Sequence, residues 1–250
     1  MKRQITSAVI AAGMVAAMSS VSVSAATAST SPSPGTVTLN TLKARANTEV
    51  QNREAVLAKL AQRVQDARDL APSDRTALST LISNDESGLT SLDARIQADS
   101  TLATARVDAM RIVTDFRVYV LVEPQVHMVI AADRITDISA KLLALEPKLK
   151  QAIQDAKLTA DQRSDAEKAL SDFAKQVETT ADDVSGVSAS ALALTPAGYP
   201  GNSTTLQADL SKLHAARAAL SDARKDVDTI RDAWRSAPTT ATPAPSPSAS

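Results

Sequence analysis

An all-α fold, an elongated antiparallel bundle of about six amphipathic helices, is what this sequence predicts, and three observations predict it. The chain is rich in Ala, Leu, Gln, Lys and Arg and holds only six glycines, a composition that favours helix by propensity. Aromatic residues make up 2%, which gives poor support to a β-sandwich or a nucleotide-binding α/β fold. Between residues 38 and 234 the apolar residues recur at spacings of three, four or seven.

The N-terminus has a secretory pattern. Lys2 and Arg3 precede the apolar segment Ala8 to Met18, and small residues follow, so a signal peptide over 1–26 is expected. Cleavage fits after Ala25 or Ala26, or after Ala28. An uncleaved anchor is disfavoured, because the apolar segment has 11 residues and a bilayer span takes about 20. Lipid attachment through a cysteine is excluded, since the chain has none. Residues 27–36 form a linker, 37–236 a helical domain, and 237–250 a Pro/Ser/Thr-rich tail too poor in large apolar residues to fold.

The first helix is expected over about 38–70, with Val50, Leu57, Leu60, Val64, Ala67 and Ala71 on one face and a stop at Ala71-Pro72. Ser73 is expected to cap the second, whose seam is Leu78, Ile82, Asp85, Leu89, Leu92 and Ile96. Asp85 and Gly88 are its two anomalies. Asp85 either meets an arginine of a neighbouring helix or lies on a wet face. The third helix starts near Ser100 and aligns Leu102, Ala105, Ala109, Ile112, Phe116 and Tyr119.

Residues 114–133 are the densest apolar run of the mature chain, and Pro124 stands within it. A single helix over 101–157 would be about 85 Å long at 1.5 Å per residue. A break and chain reversal is therefore placed at 121–125, with the third and fourth helices antiparallel across it. The alternation Phe116, Val118, Val120, Val122 leaves room for a short extended piece before it. The fourth helix aligns Met128, Ala131, Ile135, Ile138, Leu142, Leu145, Leu149, Ala152 and Ala156, with a kink or short break at Pro147. Thr159 and Gln162 form a capping box for the fifth, which aligns Ala166, Leu170, Phe173, Val177, Val184 and Val187. A looser stretch, 188–203, leads to a last helix opened by Thr204 and Gln207, with Leu206, Leu210, Leu213, Ala216, Leu220, Ala223, Val227, Ile230 and Trp234 along its seam.

The sequence carries no catalytic signature. No serine sits in a Gly-x-Ser-x-Gly turn, and the glycines are too scattered for a phosphate loop. Glu123 and His127 could share a helical face, but the only other histidine, His214, lies in another helix, so no metal and no cofactor is expected. The acidic pairs Asp182-Asp183 and Asp222-Asp226 suit exposed faces better than acid–base work. Charge is nearly balanced, and removing Lys2 and Arg3 leaves 25 basic against 28 acidic residues, which is no footprint for nucleic acid.

The polar residues set in the apolar run are the candidates for a structural or interaction site: Arg117, Tyr119, Glu123, His127 and Asp133. A charge among apolar residues is costly unless paired. Arg117 is therefore expected to be held by Asp115, Asp133 or Asp85, or to satisfy carbonyls near Pro124. The alternative is a ligand or partner site at that turn.

Three segments carry a resemblance: FRVYVLVEPQVHMVIAADRI at 116–135, LEPKLKQAIQDAK at 145–157 and LTPAGYPGN at 194–202. In this order they resemble a group of uncharacterised secreted actinobacterial proteins, over roughly 37–236. The resemblance implies export and a helical fold, and brings no activity and no site. The expectation is a secreted, non-enzymatic helical-bundle protein of the cell envelope or medium with a scaffold or interaction role, an unknown envelope or extracellular partner, and no stable membrane span after cleavage. A membrane-active bundle with a concealed insertion segment at 118–132 is the alternative. Glu123, Gln125 and His127 oppose it, because polar groups in hydrocarbon are expensive.

Overall fold

The structure, a computed structural model, describes residues 37–237. The expected signal peptide, the linker and all but the first residue of the tail lie outside the described residues. Of the described residues 86% are helical and none forms a strand. The helices are α1 (Leu39–Asp66), α2 (Pro72–Ala98), α3 (Leu102–Thr114), α4 (Glu123–Leu143), α5 (Glu146–Asp155), α6 (Ala160–Val184), α7 (Val187–Leu192) and α8 (Asn202–Arg235). A π-helical turn, Val118–Val122, leads into α4, and a 3₁₀ turn, Pro196–Gly198, precedes α8.

Five helices are long, not six. These are α1, α2, α4, α6 and α8, of 28, 27, 21, 25 and 34 residues. The expected third helix closes after 13 residues, because the chain leaves helical geometry beyond Thr114 and Arg117 turns left-handed at φ 41°. The break thus falls at 115–117, seven residues before Pro124.

Pro124 does not reverse the chain. It lies in the first turn of α4, and the helix runs through it from the π turn. Inside a regular helix a proline ring strikes the carbonyl four residues back. Here the N–H of Glu123 bonds Val118 five residues back, and this widened turn accommodates the ring. The run Val118 to Val122 is accordingly wound rather than extended. Helix α3 packs on α1 and α2 instead of lying antiparallel to α4.

Helix α1 ends at Asp66, earlier than Ala71, and Pro72 opens α2 at a position that needs no N–H. Ser73 does not cap α2. Its N-cap is Ala71, without a side-chain bond, and the Ser73 hydroxyl turns to Asp74 at 3.1 Å. Arg75, in the first turn of α2, reaches back to the carbonyls of Val64, Gln65 and Ala67 and satisfies the end of α1. The same device recurs at α6. There Arg163 donates to the carbonyls of Ile153 (2.9 Å) and Ala156 (3.1 Å) at the end of α5. The Thr159–Gln162 capping box is present, and the expected interruption at Pro147 separates α4 from α5. The loose stretch is partly helical, since it contains α7 and the 3₁₀ turn; Gly201 and Asn202, not Thr204, open α8.

Helices α1 and α2 are antiparallel, as the cross-links Lys43 to Gln97, Asn47 to Asp93 and Thr90 to Glu54 show. So are α6 and α8, tied by Gln162 to Ser236 and by Thr180 to Ala216. The apolar seams of α1, α2 and α6 are buried as expected and Phe173 is fully enclosed, but Ala67 and Ala71, the end of the first expected seam, lie past α1 and are half-buried. In α8, Leu210 is exposed while Asp209 is buried. Helix α4 buries more than one stripe, because α1, α6, α7 and α8 all touch it. Its deepest residues are Gln125, Val126, Val129 and Ala132, whereas Ala131 and Ile138 of the expected seam are only half-buried.

Two hydrophobic cores result. The larger joins α1, α2, α3, α4, α7, the last residue of α6, Val184, and the first half of α8. The smaller gathers Ile153 of α5, Leu170, Phe173 and Val177 of α6, and Ala223 and Ile230 of α8. Gly88 now has a reason. A Cβ there would stand 2.5 Å from Cε1 of Phe116, so the glycine makes room for that ring against α2. Asp85, one turn earlier, is half-buried and pairs with no arginine; its Oδ2 is buried without a partner. Burial pushes its carboxyl up to about 6.

Candidate functional site

The five candidate residues are not brought together. Arg117, Tyr119, His127 and Asp133 each tie the 117–133 segment to a different residue outside it, and Glu123 faces His127 within it. Arg117 is half-buried and donates from Nε to the carbonyl of Pro196 at 3.1 Å, with its guanidinium 4.2 Å from the centre of the Tyr199 ring. It pairs with none of Asp115, Asp133 and Asp85. Asp115 accepts from Arg111 at 2.8 Å instead, which holds its carboxyl below the usual range. Tyr119 is exposed, and the buried Arg53 of α1 lies over its ring at 5.0 Å while bonding Glu49 at 2.6 Å.

Asp133 is a joint between three elements. Its Oδ2 accepts the backbone N–H of Ala71 at 2.7 Å, and its Oδ1 accepts the Ser188 hydroxyl of α7 at 3.1 Å. One carboxylate thus serves the N-cap position of α2 and fixes α7 against α4. Burial raises its pKa, against the lowering effect of these two donors.

His127 lines a cleft. Arg63 of α1 brings Nη1 to 2.6 Å from its Nδ1. The same Nη1 lies 3.1 Å from Nε2, and since a guanidinium can only donate, the imidazole is the acceptor, by distance through Nδ1. The Glu123 carboxylate stays 3.8 Å from Nε2, too far for a hydrogen bond. Burial, and then the positive charge of Arg63, hold the His127 pKa below its ordinary value, with Glu123 opposing both. The imidazole is therefore neutral around pH 7.

A cleft of about 430 Å³ opens beside this histidine. Arg63 and Asp66 line it from α1, His127, Ile130 and Arg134 from α4, and Arg217 from α8. Three guanidiniums face one carboxylate. Among the described residues none of the three arginines makes an ion pair, and the one acid already accepts from Gln62 at 3.0 Å. Arg134 was legible in principle, because it follows His127 by seven positions on the same helix and so shares its face. Arg63 and Arg217 had no such signal. They belong to helices 60 or more residues away, and only packing brings them here.

The remaining motifs stay apart from this cleft. His214 is exposed on α8, and among the described residues no group of three or more His, Cys, Asp or Glu is placed to hold a metal. Asp222 accepts from Lys225 at 2.6 Å. Val107, Met110 and Val113 form an exposed apolar stripe on α3. No described helix is long and apolar enough to cross a membrane. The chain matches no family model, no curated protein and no solved structure.

Proposed function

We propose that the protein is an exported, non-enzymatic binding protein of the cell envelope or medium, and that it engages an anionic group of its partner through the α1–α4–α8 cleft. The observation that carries this reading is the set of three arginines without acidic partners on three packed helices. Side chains mounted on helices are held more closely than side chains on loops, which lowers the cost of ordering a site. The chain as a whole has a formal net charge of −1, so the local cationic excess is a feature of this cleft and not of the composition. Its donors can hold an anion, and the neighbouring His127 is engaged by Arg63 rather than by a nucleophile.

The membrane-active alternative has less to favour it. Its proposed insertion segment supplies Val118, Leu121, Val122, Val126 and Val129 to the main core, and insertion would have to withdraw them all. The binding reading is tested by affinity capture from envelope and culture-medium fractions with the mature protein and with an Arg134→Gln/Arg217→Gln double variant. Retention of a partner by the wild type and its loss from the variant is the expected result. Equal retention by both would remove the cleft from the function.

A further inference from the structure

The cleft also constrains what kind of anion fits, and this inference rests on the binding reading above. A carboxylate offers two oxygens, and a single guanidinium fork satisfies both. Three guanidiniums around one cleft exceed what one carboxylate can accept. A phosphate monoester offers three terminal oxygens and close to two charges. His127 stands beside them and orients Arg63, whose Nη1 donates to its ring at 2.6 Å.

The dimensions point beyond a bare ion. About 430 Å³ lies within the range of small-molecule sites, roughly 300–1,000 Å³. Ile130 with Ala67 and Ala131 gives part of the wall an apolar character. Asp66 is the one carboxylate in the lining, and one of its oxygens remains open to a hydroxyl donor of the ligand. A second hollow of about 260 Å³ continues past Asp66, Ile130 and Arg134 towards Arg68 and Asp69, whose opposite charges add no net charge there. The lining thus combines donors for a phosphoryl group, an acceptor for a hydroxyl and a short apolar wall.

We infer that the cleft between α1, α4 and α8 binds a phosphate monoester attached to a small hydroxylated group, with Arg63, Arg134 and Arg217 around the phosphoryl oxygens and Asp66 at the hydroxyl. Such a group is carried either by a free polyol phosphate or by a phospholipid headgroup. The chemistry at the cleft is the same for both.

Calorimetric titration of the full mature chain at low ionic strength tests this, with glycerol 3-phosphate, inorganic phosphate and acetate as probes. Cosedimentation with phosphatidylcholine vesicles, with and without phosphatidic acid, forms the lipid arm. One saturable site for glycerol 3-phosphate, tighter than for inorganic phosphate and absent for acetate, is expected for a free ester. Binding only to the phosphatidic acid vesicles assigns the same chemistry to a headgroup. In either arm Arg134→Gln/Arg217→Gln should weaken binding about tenfold or more, while Arg231→Gln, which removes the partner of Asp228 elsewhere on α8, leaves it unchanged. Both cleft positions are exposed, and far-UV circular dichroism checks that the variants fold. If a variant fails that check, displacement of glycerol 3-phosphate from the wild type by inorganic phosphate but not by acetate carries the same information. Absence of binding in both arms, or equal binding of acetate, overturns the phosphate assignment. Partner capture that depends on the arginines would in that case still stand, so the two readings fail separately.

Discussion

At Arg117 a carbonyl and an aromatic ring take the place that a carboxylate was expected to fill. The arginine holds a left-handed backbone position, φ 41°, which is uncommon for a residue with a Cβ and strained unless its surroundings fix it. The fixing contacts are the Pro196 carbonyl and the Tyr199 ring, both from the connection before α8. Replacing it by methionine keeps much of the stem but leaves the carbonyl and the ring without a cation. Arg117→Met should lower stability by about 1–3 kcal/mol. A thermal melt decides it, and an unshifted midpoint would return this turn to the list of binding surfaces. Asp85 makes the opposite kind of prediction, because its folded pKa of about 6 lies above the ordinary 3.8. Between those values the native state holds a proton that the unfolded chain releases, so stability is lost as pH rises through the window and stays lower above it. Asp85→Asn removes the titration. With solvent screening of a half-exposed group, the gain should be about 1 kcal/mol at neutral pH and vanish near pH 4. Urea unfolding at both pH values measures it; a gain independent of pH would mean that burial of the charge is not the cause.

Among the elements, the two arginine-capped helix ends are the most transferable observation. Arg75 and Arg163 occupy the same place, the fourth residue of a helix that follows a tight turn, and each closes the carbonyls of the helix before it. Helix ends leave four carbonyls unsatisfied, and a planar fork of donors can satisfy two at once. Helix α5 has only ten residues and depends on this closure more than α1 does. Arg163→Met should cost about 1–3 kcal/mol. The cost should appear as faster amide exchange in α5, with α1 unaffected. Uniform acceleration across the chain would argue that the bond supports the whole fold rather than the helix end.

For the whole helical domain the question is whether two cores mean two folding units. Helices α6 and α8 pass through both, with Val184 and Leu213 in the larger core and Phe173 and Ile230 in the smaller. Neither core can lose its packing without breaking helices that the other shares. Cooperative unfolding is therefore expected, with one transition. Trp234 packs against the smaller core and reports on it by fluorescence, while far-UV circular dichroism reports on all helices. The two denaturation curves should coincide. An earlier fluorescence transition would show that the smaller core opens on its own.

The helices themselves were written in local patterns. The seams of α1, α2 and α6, the proline boundaries at 72 and 147, and the Thr159 capping box depend on residues within a turn or two of each other, so periodicity and cap chemistry made them visible. Pro124 misled because its steric conflict has two local solutions, a break or a widened turn, and the choice rests on what packs around it. Gly88 was conspicuous as a defect, but its cause, the Phe116 ring, comes from another helix. The same holds for the site. His127 and Arg134 share a face of one helix and could be read together; Arg63 and Arg217 reach the cleft only because α1 and α8 pack beside α4. Spacing along a helix fixes which residues share a face. Which faces meet is decided by burial across the assembled helices, and that is where the cationic cleft arises.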